Sequence, residues 1–247
     1  MVEADRARAT VQAPPRSPWT RLAVDPLALP LGRALARSPW ITPSRVTTVA
    51  VLCALVSATC FVVGEWRGGG LAFLARYFFD CVDGQVARCQ GTGSRVGAAY
   101  DLMADIGGIA VIIAAAGWRL VTHHDTPVAL PMALLAAVVY YNWILAHRKA
   151  LAFEAGLEFG GGAGGGSGRE VPGLRWWFAL ARRLGMTPIP WAIEVEILML
   201  GLGPLLMPEG RLPALLLVGL AFYLLANAVN TRRVLRIARD LDSSSAT

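Results

Sequence analysis

The sequence predicts an all-α polytopic membrane protein with six transmembrane helices and a short N-terminal interfacial segment. Three observations predict it. The 247 residues are 55% hydrophobic and only 16% charged, with a mean hydropathy of +0.50, which is too apolar for a soluble domain of this size. Apolar windows of about 17 to 20 residues, the length that crosses a hydrocarbon core of about 30 Å at about 1.5 Å per helical residue, recur six times. The basic residues gather at the ends of these windows, and on one side of them.

In chain order, residues 1–40 form a leader, 41–239 the six-helix domain and 240–247 a C-terminal tail. Residues 1 to about 20 read as disordered, and Pro14, Pro15, Arg16 and Arg21 interrupt the compact apolar stretch that a secretory signal needs. From Val24 to Ala36 two readings stand: a short helix lying in the headgroup region, or an irregular stretch broken by Pro26 and Pro30. The spans follow as Val46 to Gly64, Gly68 to Asp80, Gly97 to Trp118, Pro127 to Ala146, Trp191 to Met207 and Pro213 to Asn230. The glycine run from Gly160 to Gly168 lacks the following Gly-Lys-Ser or Gly-Lys-Thr and the preceding strand of a phosphate loop, so it reads as a flexible connector. Leu174 to Leu184, with Trp176, Trp177 and Phe178 ahead of Arg182 and Arg183, reads as an interfacial helix.

The chain carries a net charge of +6, and the position of that charge decides what it means. Of the 23 Lys and Arg residues, all but Arg67, Arg76, Arg119 and Arg211 fall on one side of the predicted spans. The positive-inside rule then places both termini in the cytoplasm, in a cell inner membrane, and makes anionic membrane lipid rather than nucleic acid the partner of this charge. Cys53, Cys60, Cys81 and Cys89 have no metal-type spacing and are expected as free thiols, and His123 and His124 lack companion ligands.

One stretch is acidic where the chain is otherwise apolar. Asp80 and Asp83 stand at i and i+3 at the end of the second span, while Gly97, Asp101 and Asp105 repeat every four residues at the start of the third. Each set lines one helical face, so the four carboxylates can converge across the turn from Cys89 to Val96. An Asp near a helix centre costs about 2.5–3.5 kcal/mol to insert in a membrane, and Arg76 and Arg88 cannot balance four of them. Oxygen ligands in this number suit one or two hard divalent cations, Mg2+ first and Mn2+ or Ca2+ next. Gly84, Ala87 and Gly97 leave the neighbouring helix faces bare, for tight packing or for a bulky ligand.

At every defining position the run Asp80, Asp83, Gly84, Ala87, Arg88, Gly97, Asp101, Asp105 resembles the signature of the CDP-alcohol phosphotransferase family, D-x2-D-G-x2-A-R-x8-G-x3-D-x3-D. Thr42-Pro43-Ser44-Arg45-Val46-Thr47 also resembles the Thr-Pro-Asn-x-x-Thr start of the family's first helix, with Ser in place of Asn. The resemblance implies transfer of a phosphoalcohol from a CDP-linked donor to an alcohol with release of CMP. It implies metal binding by Asp80, Asp83, Asp101 and Asp105, Asp105 as general base, and a nucleotide pocket of Asp80, Gly84, Ala87, Arg88 and Gly97. It also implies two Mg2+ or Mn2+ per site and a homodimer.

Substrate identity is less constrained. CDP-diacylglycerol suits a membrane-embedded donor site, while a soluble CDP-alcohol with a lipid or polyol acceptor is the alternative. Arg148, Lys149, Arg183 and Arg232, with His147, Arg182 and Arg233 near them, can form a phosphate patch for an acceptor such as inositol phosphate or glycerol phosphate, or can simply follow the positive-inside rule. Glu194 and Glu196 can meet an amino alcohol or cation, or pair with Arg and cap the fifth span. Asn142, Asn227 and Asn230 are candidates for interhelical hydrogen bonds. A cation transporter and an inactive scaffold are the readings from other classes; the first does not explain Gly84, Ala87, Arg88 and Gly97 at signature spacing, and the intact quartet of acids argues against the second.

Overall fold

The computed structural model describes residues 16–154, 175–187 and 192–245, and the regular elements among them are helices. Residues 16–20, expected as disordered, are held in place: Arg16 forms a parallel β-bridge with Met186, and a π-helical turn follows over Thr20–Val24. Helix α1 (Asp25–Leu35) settles the choice between the two leader readings in favour of a helix. Pro26 lies in its first turn and Pro30 inside it, so the helix tolerates both prolines. Asp25, Ala28 and Gly32 face inward, while Leu22 and Leu27 point out.

Among the described residues four helices are long and apolar enough to cross a membrane: α2 (Pro43–Val63), α4 (Arg95–His123), α5 (Ala129–Glu154) and α9 (Leu212–Ser245, with the 3-10 turn Glu209–Arg211 ahead of it). Helix α6 is the short Arg175–Arg183, within the segment expected to be interfacial; the glycine connector and Leu174 lie outside the described residues. The other two expected spans are helical but fall short for different reasons. α3 (Trp66–Gln90) has 25 residues, ample length, yet carries Arg67, Arg76, Asp80, Asp83 and Arg88. The fifth is divided into α7 (Ala192–Glu196), a π-helical stretch Ile197–Leu202 and α8 (Gly203–Leu206), interrupted by Gly201, Gly203 and Pro204; Trp191 lies outside the described residues. Helices also overrun the apolar windows: α5 continues to Glu154 and α9 to Ser245, so residues 240–245 extend a helix rather than form a separate tail.

Local signals set the helix ends. Thr42 caps α2, its hydroxyl accepting from Arg45 N at 3.4 Å, with Pro43 in the first turn. Around the molecule the segments close a ring: α2 packs on both α3 and α4, α4 on α5, α5 on α9, and the 192–206 segment joins α9 back to α3. The approach of α3 to that segment depends on missing side chains, since a Cβ on Gly70 would stand 2.6 Å from the carbonyl oxygen of Gly201. Ser57 Oγ donates to Gly69 O at 2.8 Å and ties α2 to α3. Phe61, Phe73, Val82, Ile112, Leu134 and Tyr223 fill the interior, while Leu52, Leu55, Val56, Leu217, Leu224 and Leu225 face outward, as they can where the solvent is lipid.

Candidate active site

The turn between α3 and α4 fixes the acidic residues. Gly91 takes a left-handed φ of 65° and ends α3, and Ser94 starts α4, its hydroxyl accepting from Gly97 N at 2.9 Å. With so short a turn, residues equally far from it come level. Asp80 and Asp105 each stand about 15 Å into their helices, and Asp83 and Asp101 about 10 Å. The backbones of α3 and α4 scarcely touch, because α2 packs along both; the side chains span the space between them.

One carboxylate oxygen from each of Asp80, Asp101 and Asp105 lies within 4.8 Å of the others. At that separation each pair repels by about 3.5 kcal/mol at an effective dielectric near 20. Arg76, 5% exposed, donates from Nη2 to Asp105 Oδ1 at 2.9 Å and to Asp105 O at 3.2 Å, and so balances one carboxylate of the three. Asp101 Oδ1 is buried without a hydrogen-bond partner. Three convergent carboxylates, one of them with an orphaned buried oxygen, fit a hard divalent cation. Asp83 stands outside this trio. It accepts from Thr47 Oγ1 at 2.7 Å, with both residues buried.

Beside the trio opens a cavity of about 730 Å3, within the range of small-molecule sites. Its walls are the end of α1 (Ala36, Arg37), the start of α2 with Thr47, the α3 face of Asp83, Gly84, Ala87 and Gln90, the turn Thr92 to Ser94, and Gly97 and Asp101 of α4. Gly84, Ala87 and Gly97 thus come together, as the signature requires. Asp80 sits with the trio instead of in this wall, and the Arg88 guanidinium folds back so that a Cβ on Gly84 would lie 3.4 Å from it. Gln90 Nε2 donates to Ile41 O at 2.9 Å and closes the rim.

The expected acceptor residues divide. Arg148 is buried and donates to Asn230 Oδ1 at 2.6 Å, whereas Lys149, Arg183 and Arg232 are exposed. Glu196 accepts from the Tyr223 hydroxyl and Glu194 from Trp19 N, so both acids have neutral donors. Asn227 Nδ2 donates to Ala137 O at 2.9 Å, linking α9 to α5, while Asn142 turns back to Val138 O of its own helix. His124 pairs with Glu209 at 3.2 Å, His123 bonds Arg119 and Thr122, and the four cysteines are free thiols. Sequence reasoning gave Thr47, Gln85, Gln90 and Arg16 no role at the site. Thr47 lies in the quoted Thr-Pro-Ser run, but Arg16 carries no local signal at all.

A half-buried carboxylate trio among membrane-type helices, with a nucleotide-sized cavity beside it, defines a metal-dependent transferase of phosphate-linked groups. The profile of the CDP-alcohol phosphatidyltransferase family matches residues 40–227, and the chain belongs to that family. It is 30% identical over 179 residues to a phosphatidylinositol phosphate synthase of Mycolicibacterium smegmatis, a match covering 72% of this chain and 78% of that protein. A second such synthase, from Mycobacteroides abscessus, is 33% identical over 54% of this chain and 60% of its own length. The fold is similar to the crystal structure of Mycobacterium tuberculosis phosphatidylinositol phosphate synthase with CDP-DAG bound, with a TM-score of 0.61 at 21% identity over 85% of this chain and 94% of that one. The same synthase with manganese and citrate gives 0.60 at 21% identity, covering 84% and 88%.

Proposed function

We propose that the chain transfers the phosphatidyl group of CDP-diacylglycerol to a hydroxyl of a phosphorylated polyol, inositol phosphate foremost, releasing CMP. The observation that carries this reading is the junction of the cavity lined by Asp83, Gly84, Ala87, Gly97 and Asp101 with the trio of Asp80, Asp101 and Asp105. The names of the related synthases support inositol phosphate as acceptor.

Gly84, Ala87 and Gly97 leave room for the cytidine and pyrophosphate, and Arg88 supplies positive charge beside them. Asp80, Asp101 and Asp105 would hold one divalent cation, Mg2+ or Mn2+, and Asp83 with Asp101 a second on the cavity side. Bound there, such ions neutralise charge on the pyrophosphate oxygens. Asp105 takes the proton from the acceptor hydroxyl while that oxygen bonds the phosphorus carrying the diacylglycerol; the bond to CMP breaks on the opposite side, and CMP leaves with the electron pair. Arg76 fixes one oxygen of Asp105, leaving the other for this work. Arg148, with Lys149, Arg183 and Arg232, receives the acceptor phosphate.

In this reading α3 and the 192–206 segment cross the membrane as second and fifth spans, completing the ring, with both termini in the cytoplasm of a cell inner membrane and the enzyme a homodimer. Cysteines introduced between residues 160 and 168 should label only from the cytoplasm, and light scattering in detergent should give twice the chain mass. The deciding experiment supplies purified protein with CDP-diacylglycerol, Mg2+ and a panel of inositol phosphate, inositol, glycerol phosphate and serine, reading CMP and the lipid product by mass. A phosphatidylinositol phosphate product is expected. A product formed only with another acceptor would overturn the acceptor assignment, and CMP-free turnover would overturn the reaction.

A further inference from the structure

We propose that Arg16, in the leader ahead of α1, is a positioning residue of the donor pocket: it holds Gln85, and through Gln85 it sets the Arg88 guanidinium over Gly84. Oriented by its neighbours, the Gln85 amide oxygen accepts from Arg16 Nη2 at 2.7 Å, from Arg16 Nη1 at 3.2 Å and from Arg88 Nη2 at 3.0 Å. One buried carbonyl is thus shared by two guanidinium groups. None of Arg16, Gln85 and Arg88 lines the cavity; the Arg88 guanidinium adjoins it at Gly84, which does, so an effect of Arg16 on a donor must pass through Gln85 and Arg88.

Arg16 is itself fixed from three directions. Its backbone pairs with the segment after α6, Arg16 N donating to Gly185 O at 3.2 Å and Thr187 N to Arg16 O at 2.9 Å. Its guanidinium pairs with Asp25, a side chain only 3% exposed that Arg21 also reaches at 3.4 Å. The same stretch is tied to α3 by the hydrogen bond between the Thr20 and Tyr77 hydroxyls. On the opposite side, α1 presses on Gln85 so closely that a Cβ on Gly32 would stand 2.6 Å from Gln85 Cβ.

The physical need is clear from Arg88. A long guanidinium side chain is rich in rotamers, and Arg88 is exposed, so a fixed acceptor narrows where it points. Gln85, 7% exposed and packed against Gly32, is that acceptor. Asp25 balances the charge of Arg16, which allows a second guanidinium to sit close to Arg88.

The inference rests on the reading of Arg88 as a donor-binding residue, and one experiment separates the two. CDP binding to the full chain in detergent with Mg2+ is measured by calorimetry, alongside CMP release as a function of CDP-diacylglycerol. For Arg16→Gln, CDP affinity is expected to fall about five- to thirty-fold, with donor KM rising by more than kcat falls. Arg16→Lys should recover most of the loss. Gln85→Leu should lose as much as Arg16→Gln, and the double variant no more than either. Unchanged CDP affinity in Arg88→Gln would overturn the donor-pocket reading. Weakened binding in Arg88→Gln with unchanged binding in Gln85→Leu would overturn the positioning role alone, and this comparison decides even if Arg16→Gln does not fold. Equal falls in kcat and in the fraction of folded protein, without rescue by Lys, would also overturn it.

Discussion

Replacing Thr47 by valine keeps the branched shape and deletes one hydroxyl from the edge of the acidic site. Thr47 and Asp83 are each 5% exposed, so water cannot replace the lost donor, and the bond removed is the 2.7 Å contact to Asp83 Oδ2. A hydrogen bond to a charged group contributes about 1.5–3 kcal/mol, which converts to about a tenfold to 150-fold fall in kcat/KM if the oriented carboxylate serves the reaction. The assay is CMP release from CDP-diacylglycerol across a range of Mg2+ concentrations. Because the hydroxyl orients a carboxylate expected to hold metal, the loss should be largest at low Mg2+. Thr47→Ser should restore most of it. Activity of Thr47→Val within twofold of the parent at limiting Mg2+ would refute the claim that this hydroxyl orients Asp83 for metal or donor.

Gly108→Ala places a Cβ 3.0 Å from Arg76 Nε and 3.4 Å from Ala54 Cβ, so the guanidinium that holds Asp105 must give by a few tenths of an ångström. A fall of about three- to thirty-fold in kcat is expected, with donor KM little changed, from steady-state CMP release. Tyr223→Phe removes the phenol that donates to Glu196 and leaves a part-buried carboxylate short of a donor. It should destabilise the folded chain by about 1–3 kcal/mol, read as a lower Tm in detergent. Chelation with EDTA should abolish CMP release, and readdition of Mg2+ or Mn2+ should restore it.

The carboxylates were legible in the sequence because chemistry fixes both their type and their spacing, and helical periodicity converts that spacing into a face. Their partners were legible only in part. Thr47 is the last residue of the Thr42 to Thr47 run, whereas the contact of Arg16 with Gln85 joins residues far apart in sequence and leaves no local pattern. The leader looked disordered for the same reason: its order comes from Met186, Asp25 and Tyr77, not from its own propensity. Hydropathy located the helices but not their ends. α9 runs through Arg232, Arg233, Arg236 and Arg239, which form helix well outside an apolar environment. Three of the four acids converge, with Asp83 turned to Thr47, and they do so across a gap and not between two packed helices, because α2 packs along both α3 and α4. Which helices α2 would meet is a question of tertiary packing that a single chain's periodicity does not answer.

The central claim is that the carboxylate site performs metal-dependent transfer with Asp105 accepting the acceptor's proton. Asp105→Asn tests it most directly, since the amide oxygen can still accept from Arg76 while the basic oxygen is lost. The measurement is the rate of CMP release at saturating Mg2+, CDP-diacylglycerol and inositol phosphate, with CDP affinity determined on the same preparation. A rate lower by about 10²- to 10⁴-fold is expected, with most of the CDP affinity retained. Near-normal turnover in that variant would contradict it.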